Sequence, residues 1–219
     1  QRVAIARALL SSPRLLLLDE PLASLDSPLR ARIIPYLARI RDEFRVPMLY
    51  VTHERFEALA LADEMIVLVQ GRVAQSGRVN DVFNHPASPA AAGALAVETV
   101  LQGRIQRIEN GLASVTVGPV TLTAVDQNFS AEARQVYVCI RAENVVILKG
   151  ADISNSARNH LPATVRSLGN DGPLARVELD CGFQLTALLT RQSCEEMKLA
   201  SGDRVTAQLK AQHVHLILR

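Results

Sequence analysis

The chain has 219 residues, of which 48% are hydrophobic and 21% charged, with 24 Lys+Arg against 22 Asp+Glu. That length suits one large or two small domains with a sizeable core. The near-neutral balance, which holds in both halves, excludes a disordered charged tail and a strongly basic nucleic-acid binder. The hydrophobic run Leu15 to Leu18 is far shorter than the roughly 20 residues of a membrane helix. The chain is therefore expected to be soluble, or held at a membrane only through a partner. Cys139, Cys181 and Cys194 are odd in number and show no CxxC spacing, which fits reduced, apolar cysteines in a cytosolic protein.

In chain order, Val3 to Leu10 predicts a short helix ended by Ser11-Ser12-Pro13. Leu15 to Leu18 is an unalternating apolar run, as expected of a parallel-sheet strand covered on both faces. Leu29, Ile33, Ile34, Leu37, Ile40 and Phe44 fall at helical spacing, predicting a helix from Pro28 to about Phe44, bent at Pro35. Met48 to Val51 repeats the buried-strand pattern, Glu54 to Leu61 predicts a helix, and Met65 to Val69 a further strand turning at Gln70-Gly71-Arg72. Strands and helices alternating in this way argue for an α/β layer on a parallel sheet.

At residues 85–97 the texture changes: His85-Pro86-Ala87-Ser88-Pro89 and an Ala-rich stretch read as a boundary with a short helix across it. From Val100 onward, short alternating strands separated by Gly, Asn and Asp turns give the pattern of an all-β barrel. The pattern repeats. Leu101-x-Gly103-x-Ile105 returns as Leu161-x-Ala163-x-Val165, and Leu112-Ala113-x-Val115-x-Val117 as Leu174-Ala175-x-Val177-x-Leu179. Leu122-Thr123-Ala124 returns as Leu185-Thr186-Ala187, and Val136-x-Val138-x-Ile140-Arg141-Ala142 as Val205-x-Ala207-x-Leu209-Lys210-Ala211. The extra residues of the second copy fall in Thr190 to Leu199, where a helix fits. Two small barrels in tandem are expected.

Leu15-Leu16-Leu17-Leu18-Asp19-Glu20-Pro21 delivers two adjacent carboxylates at the C-terminal end of a buried strand, where ligands bind in open α/β sheets. One carboxylate can hold Mg²⁺ through water while the next polarises a water attacking a phosphoryl group. Gln1-Arg2-Val3-Ala4-Ile5-Ala6-Arg7 precedes this segment, Leu22-Ala23-Ser24-Leu25-Asp26 follows it, and Val51-Thr52-His53-Glu54 ends the next strand. In this order and spacing, residues 1–92 resemble the second half of an ATP-binding-cassette ATPase. The resemblance implies that Gln1-Arg2 trail the Gly-rich signature loop and contribute to nucleotide binding. It makes Asp19 the Mg²⁺-supporting Walker B carboxylate, Glu20 the general base, Ala23 to Asp26 the D-loop at a dimer interface, and His53 the switch histidine sensing the γ-phosphate. No Gly-x-x-x-x-Gly-Lys-[Ser/Thr] loop occurs in the 219 residues. The match begins in mid-motif without an initiator Met, so the expectation is the C-terminal portion of a longer subunit, inactive alone.

Ser156-Ala157-Arg158-Asn159, Thr190-x-x-Ser193 and Leu209-Lys210-Ala211 supply the hydroxyls and cations that a small tetrahedral oxyanion needs. The first repeat keeps a cation, Arg141, but has nothing like Ser-Ala-Arg-Asn at its start. Residues 154–218 resemble a molybdate-binding, Mop-type domain, and 99–149 its degenerate partner, like the accessory domains of many importer ATPases. By that resemblance Ser156, Arg158, Thr190, Ser193 and Lys210 are the oxyanion contacts, in sites formed between barrels of different repeats or chains. The expected fold is thus an α/β portion of a P-loop nucleotide-binding domain (1–92) followed by all-β tandem OB-like barrels (93–219). The expected function is that of the ATPase subunit of a bacterial molybdate importer, using ATP and Mg²⁺ and binding molybdate. It would form a homodimer on the cytoplasmic face of the inner membrane, against permease subunits, with a periplasmic molybdate-binding protein as indirect partner and no nucleic acid. Two alternatives are an importer ATPase for another substrate, such as sulfate, polyamine, iron or sugar, and a non-enzymatic molybdate-binding protein. Ser-Ala-Arg-Asn with Leu-Lys-Ala argues against the first, and Asp19-Glu20 with His53 against the second.

Overall fold

The computed structural model describes residues 7, 13–127, 129, 134–150 and 155–219. The helix expected at Val3 to Leu10 lies outside these apart from Arg7, which is helical, and Gln1 lies outside them too. The chain divides into two compact units, residues 1–67 with 75–84, and residues 68–74 with 85–219. Among the described residues no helix is long and apolar enough to cross a membrane.

In the first unit, β1 (Leu16–Asp19) and β2 (Met48–Val51) pair in parallel with Leu16 opposite Met48 and Asp19 opposite Val51. The helix α1 (Ser27–Phe44) connects them, as a parallel pair requires. Asp26 caps its start, accepting from the Leu29 amide at 2.9 Å, and Arg45, with φ 50°, ends it. Pro35 lies inside α1 and withholds the bond its amide would give to the preceding turn. The apolar stripe of α1, Ile33, Ile34 and Leu37, is buried with Leu16, Leu18, Leu22 and Leu61. The last of these ends α2 (Arg55–Leu61), whose C-terminal carbonyl accepts from the Arg41 guanidinium of α1 at 2.8 Å.

Two expectations are corrected here. Only alternate residues of β1 are buried: Leu17 is 65% and Leu49 54% exposed, because α1 covers one face of this sheet and no described residue covers the other. The third predicted strand, β3 (Glu64–Val69), does not extend the parallel sheet. It forms a two-stranded hairpin with β4 (Arg72–Arg78) across Gln70-Gly71, both with positive φ, as a two-residue type I′ connection demands. The short helix α3 (Val79–Asn84) follows.

The second unit opens with α4 (Pro89–Ala94), capped by the Ser88 hydroxyl. Ten strands follow: β5 (Thr99–Glu109), β6 (Leu112–Val117), β7 (Val120–Val125), β8 (Gln135–Ile140), β9 (Val146–Leu148), β10 (Asn159–Asp171), β11 (Leu174–Asp180), β12 (Gln184–Thr190), β13 (Arg204–Leu209) and β14 (Val214–Leu218). The helix α5 (Arg191–Glu196) fills the predicted insertion. The repeat is visible in the backbone, since β5 bulges between Ile105 and Arg107 and β10 bulges at the equivalent Val165 and Ser167. Gly103 is required on β5, where an added Cβ would lie 2.8 Å from a Val115 methyl and 3.0 Å from one of Val138.

The strand order shows how the two repeats are joined. One sheet runs β14-β8-β5-β6-β7 and the other β12-β11-β10-β13-β9, so each takes its final strand from the other repeat. The cause is local. After β8 and after β13 the chain makes a three-residue 3-10 turn, Ala142–Asn144 or Ala211–His213, which carries it out of its own sheet and onto its neighbour. Both sheets close over one core containing Val115, Leu122, Val138 and Ile140 with Val177, Leu179, Leu185 and Leu209.

Buried polar residues bridge the repeats in matching positions. Asn159, at the start of β10, accepts from the Thr123 amide of β7 at 2.6 Å and donates to the Thr123 and Leu209 carbonyls at 2.9 and 3.3 Å. Its counterpart Thr99, at the start of β5, accepts from the Thr186 amide of β12 at 3.3 Å. Asn159→Ala removes three hydrogen bonds to backbone groups of β7 and β13 and is expected to cost about 1–3 kcal/mol in urea unfolding. Thr99→Ala, which frees one long bond, should cost distinctly less.

Candidate functional site

The first candidate site forms at the C-terminal end of the parallel pair. The Glu20 amide donates to the Val51 carbonyl at 2.9 Å, so the residue after β1 remains anchored to β2. Glu20 is there held at φ 41°, a left-handed conformation unusual for a residue with a side chain. This aims its carboxylate at His53, whose Nδ1 lies 3.1 Å from Glu20 Oε1. Both side chains are substantially exposed, and Asp19 beside them is exposed as well. The structure therefore brings Asp19, Glu20 and His53 to one strand end. Asp26 is placed as the cap of α1.

Beneath His53 lies a group that the sequence reading missed. Glu57, 1% exposed on α2, accepts from the Tyr50 hydroxyl at 2.8 Å and the Thr52 hydroxyl at 2.9 Å, and faces Arg30 at 3.5 Å. Arg30 also pairs with Glu54, a bond that raises its pKa further. Burial first, then the bond to Glu57, pushes the Tyr50 hydroxyl well above its ordinary range. The Thr52 hydroxyl in turn accepts from the Glu54 amide at 2.9 Å, so both neighbours of His53 are fixed from below. The only sequence signal for this was a carboxylate inside a helix whose remaining face is apolar.

The second candidate site is the segment leading into β10. Ser156, Arg158 and Lys210 are exposed. The ladder pairs Asn159 with Leu209, so Arg158 and Lys210 flank one cross-strand pair at the same end of the sheet. Thr190 and Ser193 are not brought to them. Thr190 pairs with Leu174, which pairs with Asp171 at the far end of β10. There Thr190 caps α5, accepting from the Ser193 amide at 3.0 Å with the two hydroxyls 2.7 Å apart.

A closed ring of hydrogen bonds holds the Ser156 to Arg158 segment. The Ala157 amide donates to Asn155 Oδ1 at 2.8 Å, and Asn155 Nδ2 donates to Gln208 Oε1 at 2.7 Å. Gln208 Nε2 then donates to His160 Nδ1 at 3.1 Å, which leaves His160 Nε2–H to donate to the Ala157 carbonyl at 2.9 Å. Ala157 thus begins and ends the circuit, which calls for the Nε2–H tautomer of His160. Gln208 is 4% exposed and lies directly opposite His160 in the ladder. Position 208 is an unassigned place in the alternation Val205-x-Ala207-x-Leu209.

The cysteines take no part in either site. Burial pushes the Cys139 thiol up to about 11 and that of Cys181 up to about 12, so both remain protonated apolar groups.

Residues 155–216 match the model of the TOBE domain. The chain is 40% identical over 213 residues to the molybdenum import ATP-binding protein ModC of Brucella abortus, covering 96% of this chain and 58% of that protein. It is 38% identical over 219 residues to ModC 1 of Azotobacter vinelandii, covering 96% and 59%. The chain thus spans somewhat over half the length of these relatives. A solved structure of the cytoplasmic molybdate-binding protein ModG with molybdate bound aligns at TM-score 0.49 and 24% identity, over 57% of this chain and 98% of its own.

Gln208→Ala removes the two hydrogen bonds that Gln208 makes to Asn155 and His160 and opens the ring, so thermal or urea unfolding should show a loss of about 1 kcal/mol. Replacing both partners with the residues of the first repeat, His160→Val with Gln208→Cys, should recover part of that loss.

Proposed function

The chain being homologous to the C-terminal part of molybdenum import ATP-binding proteins and carrying a TOBE domain, we propose that it is the corresponding part of the ATP-hydrolysing subunit of a bacterial molybdate importer. The observation that carries this reading is the Glu20 to His53 contact of 3.1 Å at the end of β1, beside Asp19. It joins two residues more than thirty positions apart into the pair that phosphoryl transfer to water requires.

The exposed carboxylate of Asp19 suits an Mg²⁺ that keeps most of its waters and shares a nucleotide's phosphates. The ion, when bound, neutralises charge on those phosphates. Glu20 lies within reach to accept the proton of an attacking water, and its fixed backbone holds the carboxylate ready. His53, through Nδ1–H, donates to that carboxylate and orients it. The loop that cradles a triphosphate is not among these 219 residues, so turnover belongs to the longer subunit. That subunit acts as a homodimer at the cytoplasmic face of the inner membrane, with Gln1 and Asp26 toward the nucleotide and the dimer contact. It drives permease subunits that receive molybdate from a periplasmic binding protein. In the second unit, Ser156, Arg158 and Lys210 bind the oxyanion, and Thr190 with Ser193 contribute from another repeat or chain.

In the full-length subunit Glu20→Gln is expected to abolish ATP hydrolysis, by roughly 10²-fold or more, while nucleotide binding persists. Turnover retained by that variant would remove Glu20 from the role of base.

A further inference from the structure

The two repeats present the same backbone with opposite chemistry at the equivalent place. Thr99 pairs with Ile140 on β8, and Asn159 pairs with Leu209 on β13. The residue before each start and the residue after each end are therefore counterparts: Glu98 with Arg141 in the first repeat, Arg158 with Lys210 in the second. Where the second repeat has two exposed cations, the first has a carboxylate and an arginine that is 6% exposed. Glu98 Oε2 accepts from the Ala142 amide at 3.0 Å, the amide that follows Arg141. Arg141 Nη1 donates to the Leu95 carbonyl at 3.2 Å.

The surroundings differ in the same sense. The ring built from Asn155, His160 and Gln208 has Leu95, Val100 and Cys139 as its counterparts. Those positions are apolar, and Val100 and Cys139 pack with Ala92 of α4, Val97 and Ile217. Among the described residues, α4 covers this place in the first repeat, and the hydrogen-bonded ring occupies it in the second.

A carboxylate and a tetrahedral oxyanion make the same demand on a protein, N–H donors with a cation close by. We propose that the first repeat is a closed version of the oxyanion site, in which the Glu98 carboxylate takes the anion's place on the Ala142 amide beside Arg141, so that an external oxyanion enters only at the second repeat. Glu98 acts in two ways. It occupies the donor, and it sets a negative charge where Arg158 supplies a positive one, repelling an approaching anion. This rests on the oxyanion reading of the second repeat given above.

Isothermal calorimetry of the full chain with molybdate, and separately with sulfate, tests it. Glu98→Ala removes the internal carboxylate and keeps the Ala142 amide and Arg141, so it should bind one more oxyanion per chain than the parent. Glu98→Ser serves the same purpose should the alanine variant fold poorly, with circular dichroism and thermal unfolding establishing that the variant compared is folded. A folded Glu98 variant with the parent's stoichiometry overturns the proposal, whether or not the parent binds. Absence of binding by the parent together with a gain in the variant would uphold the closed site and overturn the oxyanion reading of the second repeat.

Discussion

Neither five-stranded sheet of the second unit is complete without a strand from the other repeat. β9 lies against β13, and β14 against β8, so the last strand of each copy covers the core of its neighbour. This exchange makes the two halves a single cooperative body around one apolar core. A repeat cut out alone would lose an edge strand and expose part of its interior, a poor prospect for a domain of such size. The polar bridges follow from the same exchange. Asn159 can reach Thr123, and Thr99 can reach Thr186, because each repeat's first strand is brought against the other's third.

Divergence between the copies has then been confined to where the shared backbone allows it. The core positions stay aliphatic in both. The rim beside the strand exchange differs, and it differs in pairs that face each other across the ladder. Val100 opposite Cys139 becomes His160 opposite Gln208. Changing one member alone would bury an unmatched polar group at a cost of about 1–3 kcal/mol. The ring through Asn155 and Ala157 gives both of the new polar residues partners. The exposed segment carrying Ser156 and Arg158 is thereby held by hydrogen bonds, where its counterpart is held by the apolar cover of α4.

Much of this was legible in the sequence. The positions of the strands, the internal repeat, the helix inserted after Thr190 and the carboxylates ending β1 all follow from local periodicity and motif spacing. The strand exchange was not legible, because alternation fixes which side of a strand is buried and says nothing about which neighbour it pairs with. The exposure of Leu17 was also hidden, since an unbroken leucine run carries no period from which a face can be assigned. Gln208 and Glu57 escaped for a related reason: a polar residue at a polar-permitted position reads as solvated until its partners are located in space. Thr190 and Ser193, grouped with Ser156 by their hydroxyl chemistry and by the family resemblance, lie within this chain at the opposite end of β10 from Ser156, as the antiparallel register requires.

In the first unit the geometry of Glu20 depends on pairing rather than on its own side chain. An extended residue after β1 would direct its carboxylate to one face of the sheet. The bond from its amide to Val51, together with φ 41°, turns the side chain back over the end of β2. Such a backbone conformation costs on the order of 1 kcal/mol and persists only where surrounding contacts over-determine it. Those contacts are in place: the β1–β2 ladder below, and on the far side Thr52 tied to Glu57, with Glu57 held by Tyr50 and set against Arg30. The buried carboxylate of Glu57 therefore has a use beyond stability. It fixes the segment on either side of His53, so that the contact between His53 and Glu20 is set by two independent supports, a strand ladder under one residue and a buried polar cluster under the other.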